Sequence, residues 1–170
     1  MKAEDLRAVQ VPLKERYKAD PEAAMITLQA QGRAGDGVSC KIETGKGLVV
    51  AGLHPATGGT GLQACSGDML LEALVACAGV TLNAVATALG IALREAVVRA
   101  DGDLDFRGTL GVSKEVPVGF QAIRLHFLLD TDADDEQLAT LLRLTERYCV
   151  VFQTLAKGPS ISASTSRMSG

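Results

Sequence analysis

Apolar and polar positions alternate over residues 25–30, with Ile26, Leu28 and Ala30 on one side and Thr27 and Gln29 on the other. That two-residue period predicts a half-buried strand. A glycine-rich turn is expected around Arg33, Gly35 and Gly37, then strands over 39–44 and 48–51 joined by a turn at 45–47, which makes a meander. Ahead of them, residues 5–18 read as an amphipathic arm interrupted by Pro12. The loop from His54 to Gly61 is too rich in glycine to be regular. Beyond it the period changes. Ser66 suits an N-cap, Asp68 lies in the first turn, where the helix dipole favours a carboxylate, and Gly90 supplies the stop. The helix between them spans about 34 Å at a rise of roughly 1.5 Å per residue. It is apolar nearly all round, which predicts a central element with neighbours on every side. Strands follow over 93–106 and 120–130, the second with Ile123, Leu125, Phe127 and Leu129 on one face. Asp134 and Gln137 have the spacing of a capping box. The helix they open carries the stripe Leu138, Leu141, Leu142, Thr145, Tyr148, Cys149, Phe152 and is expected to run to Gly158-Pro159. A last strand is expected over 160–166. Strands and helices that come in segregated runs predict an α+β fold with antiparallel sheet.

Composition narrows the function classes. A chain of 170 residues that is 47% apolar can bury a core as one domain. A net charge of −3 argues against a nucleic-acid or anionic-membrane surface. The first residues alternate charges without an apolar run, unlike a signal peptide, and the uncharged stretch 73–89 is diluted by Ala, Gly, Thr and Asn, unlike a usual membrane span. These features predict a cytoplasmic protein whose four cysteines are thiols.

Two of those cysteines stand out by position. Cys77 lies midway along the apolar helix and Cys149 late in the second one, each on a stripe that needs partners. Two thiols facing one interior suit a peroxidase: one thiolate cleaves the O–O bond and becomes a sulfenic acid, and the other condenses with it. The attacking thiol needs a lowered pKa, hence a cation or helix dipole nearby. The competing reading is plain packing, because free cysteine often serves as a small buried hydrophobe. Cys65 beside the helix start is a further thiol of lowered-pKa type, read as a bystander; Cys40 reads as strand packing, and His126 as a solvated sheet position. His54 stands in the glycine-rich loop, either at a substrate entrance or as an ordinary turn residue. No cysteine or histidine spacing matches a metal site.

The segment Cys65-Ser66-Gly67-Asp68-Met69-Leu70-Leu71-Glu72-Ala73-Leu74-Val75-Ala76-Cys77 resembles the first cysteine motif of the OsmC/Ohr family, the osmotically inducible protein C and organic hydroperoxide resistance proteins. Glu146-Arg147-Tyr148-Cys149-Val150-Val151-Phe152-Gln153-Thr154-Leu155 resembles the second, and the order of elements agrees across residues 25–166. The resemblance implies an OsmC-like two-layer fold, antiparallel sheets around long central helices, in an intertwined homodimer with active sites at the subunit interface. It also implies Cys77 as peroxidatic and Cys149 as resolving cysteine, no metal or organic cofactor, and an external dithiol reductant of lipoyl or thioredoxin-like type. Arg33 is the best match to the family's active-site arginine. The family's carboxylate falls on Gly67 or Asp68, and nine residues of ideal helix turn Asp68 away from Cys77, so it would orient Arg33 rather than touch the sulfur. Val150 stands where the family usually has proline. These departures point to an outlying branch.

The expectation is therefore an arm over residues 1–24 and a single domain over 25–170 that reduces alkyl or fatty-acid hydroperoxides, with Leu70, Leu74, Val80, Phe152 and His54 lining the substrate site. The alternative is a non-enzymatic dimer of the same fold that binds a small apolar ligand.

Overall fold

The computed structural model describes residues 2–5, 8, 10, 11, 19, 31–34, 39–44 and 47–168, with side chains in the first sheet described from Leu48 onward. The strand expected at 25–30 and most of the amphipathic arm lie outside these residues. The elements run β1 (Gln31–Ala34), β2 (Ser39–Thr44), β3 (Gly47–Gly52), β4 (Ala64–Cys65), α1 (Ser66–Leu89), β5 (Glu95–Asp103), β6 (Ala122–Asp130), α2 (Asp135–Tyr148) and α3 (Val150–Ala156). β1 occupies positions read as the start of a turn, with Arg33 paired to Lys41.

The first sheet has the order β1-β2-β3-β4 and is not wholly antiparallel. β1, β2 and β3 are antiparallel neighbours, but β4 joins β3 in parallel, Ala51 opposite Ala64 and Gly52 opposite Cys65. The loop between them, with its helical turn Pro55–Thr57, is the crossover a parallel pair requires. It carries the chain back beside β3 and directly into α1. The N-cap is therefore Cys65, extended and without a side-chain cap bond, and Ser66 is the first helical residue. Gly90 ends the helix in the left-handed region (φ 73°). The Ile91 N–H donates to the Ala86 carbonyl in the manner of a Schellman stop.

α1 is long and apolar enough to cross a membrane by length and composition alone, yet its stripe Leu74, Ala78, Leu82, Ala86 is buried. β5 and β6 pair antiparallel over their whole length, and Val98, Ala100, Ile123, Leu125, Phe127 and Leu129 pack against that stripe. Leu141 of α2 completes the helical layer. The molecule thus builds helices on one face of a sheet. The expectation of neighbours on every side of α1 does not hold within one chain: Val80 is 73% exposed, because sheet and helices cover a single side. Gly102 of β5 seats the Phe120 ring so closely that a Cβ there would lie 2.5 Å from it.

The capping box forms as read: the Gln137 N–H donates to Asp134 at 2.8 Å, and the Asp134 N–H donates to the Gln137 side chain at 3.0 Å. The helix it opens does not run on to Gly158. It stops at Tyr148; Cys149 is extended (φ −73°, ψ 109°), and α3 starts afresh at Val150. Residues 160–166 form no strand and are exposed, Ile161 at 91%. A strand needs a neighbouring edge, and none of the described strands pairs with this segment.

Candidate active site

The break at Cys149 decides what surrounds Cys77. In a continuous helix the Val150 N–H would donate to the Glu146 carbonyl. The extended backbone at Cys149 releases that donor, and the Val150, Val151 and Phe152 N–H groups become first-turn donors with no intrahelical partner. The carbonyl left behind is taken by a side chain: Gln153 Nε2 donates to the Glu146 oxygen at 2.8 Å. Cys149 is both the last cap of α2 and the first of α3, fully buried at 0% exposure.

Cys77, three residues after buried Leu74 on α1, packs against the cluster of Leu74, Ala78 and Cys149, with Val151 and Phe152 beside it. The fold thus brings the two thiols together, and both are free. Burial pushes the Cys77 thiol upward. The Val151 N–H, the Cys149 thiol, the Val150 N–H and the Thr81 hydroxyl together outweigh it and hold the pKa below the ordinary thiol value. The Thr81 hydroxyl also donates to the Cys77 carbonyl at 2.8 Å. Cys149 moves the other way. Burial raises it first; the Phe152 and Val151 N–H groups offset part of that, and the neighbouring Cys77 sulfur raises it further by hydrogen bond and charge. Such a pair favours one thiolate on the α1 sulfur and keeps the proton on Cys149.

The remaining candidates fall in several places. Arg33 is in β1, and its side chain lies outside the described side chains. The described groups acting on Cys77 are amides and uncharged side chains, so the lowered pKa does not need a guanidinium to account for it. Asp68 is exposed in the first turn of α1, roughly 13 Å of helix rise before Cys77. Leu74 and Phe152 line a cleft of about 310 Å³ beside the cysteine cluster, together with Phe120, Ile123, Leu125 and Leu155. Leu70 and Val80 are exposed on α1. His54 stacks on Phe106 with ring centroids 5.0 Å apart, and its Nδ1 accepts from the Ala56 N–H. Cys65 is free and half-buried; Cys40 is in β2, its side chain not among those described. His126 is exposed on β6, as read. Among the described residues no group of three or more metal-ligating side chains occurs.

Sequence reading missed Thr81, the amides of Val150 and Val151, and Gln153. The amides leave no trace in side-chain pattern. The one pointer was Val150 standing where the related motif has proline, which has no N–H to offer.

A profile of the family described as OsmC-like protein matches residues 59–164, well over half of the chain. No curated protein sequence matches. Among solved structures, an OsmC-like protein from Mycoplasma pneumoniae is similar at a TM-score of 0.66 and 15% identity, covering 78% of this chain and 89% of that one. An organic hydroperoxide resistance protein from Elizabethkingia anophelis, with a crystallant-derived thiocyanate bound, gives 0.62 and 18% over 79% and 90%. The organic hydroperoxide resistance protein OhrB of Bacillus subtilis gives 0.51 and 20% over 78% and 92%. At these identities the likeness concerns the fold.

Proposed function

The chain belongs to the OsmC-like protein family, and from that premise we propose that it is a cysteine-based peroxidase reducing organic hydroperoxides to alcohols. The observation that carries this reading is a Cys77 thiol of lowered pKa packed against a free, buried Cys149. In the first step the Cys77 thiolate attacks the distal peroxide oxygen. The O–O bond breaks, Cys77 becomes a sulfenic acid, and the alkoxide leaves to take a proton as the alcohol. In the second, the Cys149 sulfur attacks the sulfenic sulfur; a disulfide forms and water leaves with the Cys149 proton. An external dithiol, of lipoyl or thioredoxin-like type, returns two electrons and two protons.

The cleft beside Leu74 and Phe152 favours an alkyl or fatty-acid hydroperoxide over hydrogen peroxide, since it offers apolar wall to a greasy tail. The bare side of α1 around Val80 supports a homodimer in which a second copy covers it. Arg33 would then reach Cys77 from one subunit or the other, with Asp68 orienting it. The reading carries with it a reducing, cytoplasmic setting, where the disulfide is a transient of turnover.

The test is direct. Incubate the protein with cumene hydroperoxide and search for a Cys77–Cys149 linked peptide by mass spectrometry. Consumption of both thiols with that link is expected; if neither thiol is consumed, the peroxidase reading is wrong. A second reading, binding of a small apolar ligand without chemistry, draws on a separate cleft of about 440 Å³ lined by Leu82, Phe127, Leu138 and Leu141. A ligand that co-purifies equally with wild type and Cys77→Ala would favour it.

A further inference from the structure

The hinge between α2 and α3 is closed by one side chain. Cys149 keeps ordinary helical bonds on both sides: its N–H donates to the Thr145 carbonyl and its carbonyl accepts from the Gln153 N–H, each at 2.9 Å. Only its own backbone torsions turn the chain. Nothing local forces that turn. There is no proline or glycine between Thr145 and Ala156; the run Tyr148, Cys149, Val150, Val151, Phe152 is made of weak helix formers, which permits a break without imposing one. A straight helix would return the Val150 N–H to the Glu146 carbonyl. That carbonyl is already occupied by the half-buried Gln153 amide, which reaches back across the bend at 2.8 Å.

We propose that Gln153 is a positioning residue of the thiol pair: by holding the Glu146 carbonyl across the bend, it keeps Cys149 extended against Cys77 and thereby sets how readily the disulfide closes. The inference rests on the peroxidase reading for its oxidant and goes beyond it in naming what governs the second step. Gln153 touches neither sulfur. Its effect is conformational. Seven residues of straight helix would put about 10 Å of rise between the two positions, so the bond favours the bend and keeps the Cys149 side chain in the cluster of Leu74 and Ala78. Without it, the straight and bent forms compete, and a straight helix swings Val150 and Val151 away from α1.

Such competition has a chemical signature. A Cys77 sulfenic acid has two fates: attack by the Cys149 sulfur, which releases water, or oxidation by a second hydroperoxide to a sulfinic acid, which releases a second alcohol. Loosening Cys149 leaves the first attack of Cys77 possible and shifts the partition toward the second fate.

The experiment compares wild type, Gln153→Met and Gln153→Lys after exposure to excess cumene hydroperoxide, with disulfide and sulfinic acid at Cys77 counted by mass spectrometry. Methionine keeps the length of the side chain but cannot donate; lysine can. The sulfinic-to-disulfide ratio is expected to rise about fivefold in Gln153→Met, the factor one net hydrogen bond is worth, and to fall back in Gln153→Lys. If circular dichroism shows Gln153→Met unfolded, Gln153→Glu, which also lacks a donor when ionised, takes its place. A wild-type ratio in the donor-less variant, even with a lowered melting temperature, overturns the inference and leaves Gln153 an ordinary helix-end bond. Should wild type consume no thiol at all, the peroxidase reading fails instead. Diamide then closes the same disulfide without a peroxide, and an unchanged closing rate in Gln153→Met would overturn the clamp independently.

Discussion

Cys77 and Cys149 share one apolar cluster, yet their backbones differ in kind. Cys77 sits midway along an unbroken helix, on a side chain only partly covered. Cys149 sits where the helix gives way, wholly buried. Burial pushes both thiols upward, but only Cys149 stays above the ordinary thiol value, while Cys77 is held below it. The difference comes from direction: the break that Cys149 makes in its own helix turns the Val150 and Val151 amides toward its neighbour. The lesson is that a buried thiol need not be an inert one. What matters is whether another element lends it unpaired N–H groups.

The sharpest way to break the contrast is to remove one sulfur. Cys77→Ser is expected to abolish hydroperoxide consumption, whereas Cys149→Ser should still react once per chain and accumulate a sulfenic acid that dimedone traps. Equal loss in both variants would erase the division of roles. Titration is the next measurement. A lowered pKa means thiolate at lower pH, so iodoacetamide labelling of Cys77 should rise with a midpoint below that of a free thiol, and that of Cys149 above it. Peptide mapping across a pH series reads both. Leu141→Ala tests whether the second core region is independent: this fully buried residue packs with Leu82 and Ala86, away from the sulfurs. Stability should fall by about 2–5 kcal/mol in urea melts with the Cys77 midpoint unmoved. Val150→Pro removes one donor at a first-turn position that proline tolerates. The Cys77 midpoint should climb by less than about one pH unit, because a net hydrogen bond is worth roughly 1 kcal/mol and a unit about 1.4 kcal/mol. Smallest is Asp134→Ala at the far end of α2. Loss of its capping box costs about 1 kcal/mol of stability and should leave both thiols as they were.

Local signals in the sequence were enough for what depends on local physics. Gly90 ends α1, Asp134 and Gln137 cap α2, and the alternation Ile123, Leu125, Phe127, Leu129 is the inner face of β6. The two apolar stripes left the pairing of Cys77 with Cys149 open against plain packing, and the likeness of their two segments to the OsmC/Ohr motifs is what singled it out. The bend was not legible. The stripe through Tyr148, Cys149 and Phe152 continues the helical period, and the bond that stabilises the turn joins residues seven apart through a side chain. β4, two residues long, owes its existence to an edge of β3 that no pattern in Ala64 and Cys65 announces. Residues 160–166 alternate as a strand should, but alternation describes a face and does not supply a partner.

Gly102 has a consequence for the cleft. The Phe120 ring that lines the cleft touches the bare Cα side of Gly102, and Gly67 on α1 stands against the ring's far carbon, where a Cβ would lie 3.6 Å away. One aromatic wall is therefore wedged between two positions that carry no side chain, on different elements. A single methyl at residue 102 would collide with the ring, so this wall of the cleft would have to shift. The bore of the cleft is gauged by an atom that is missing.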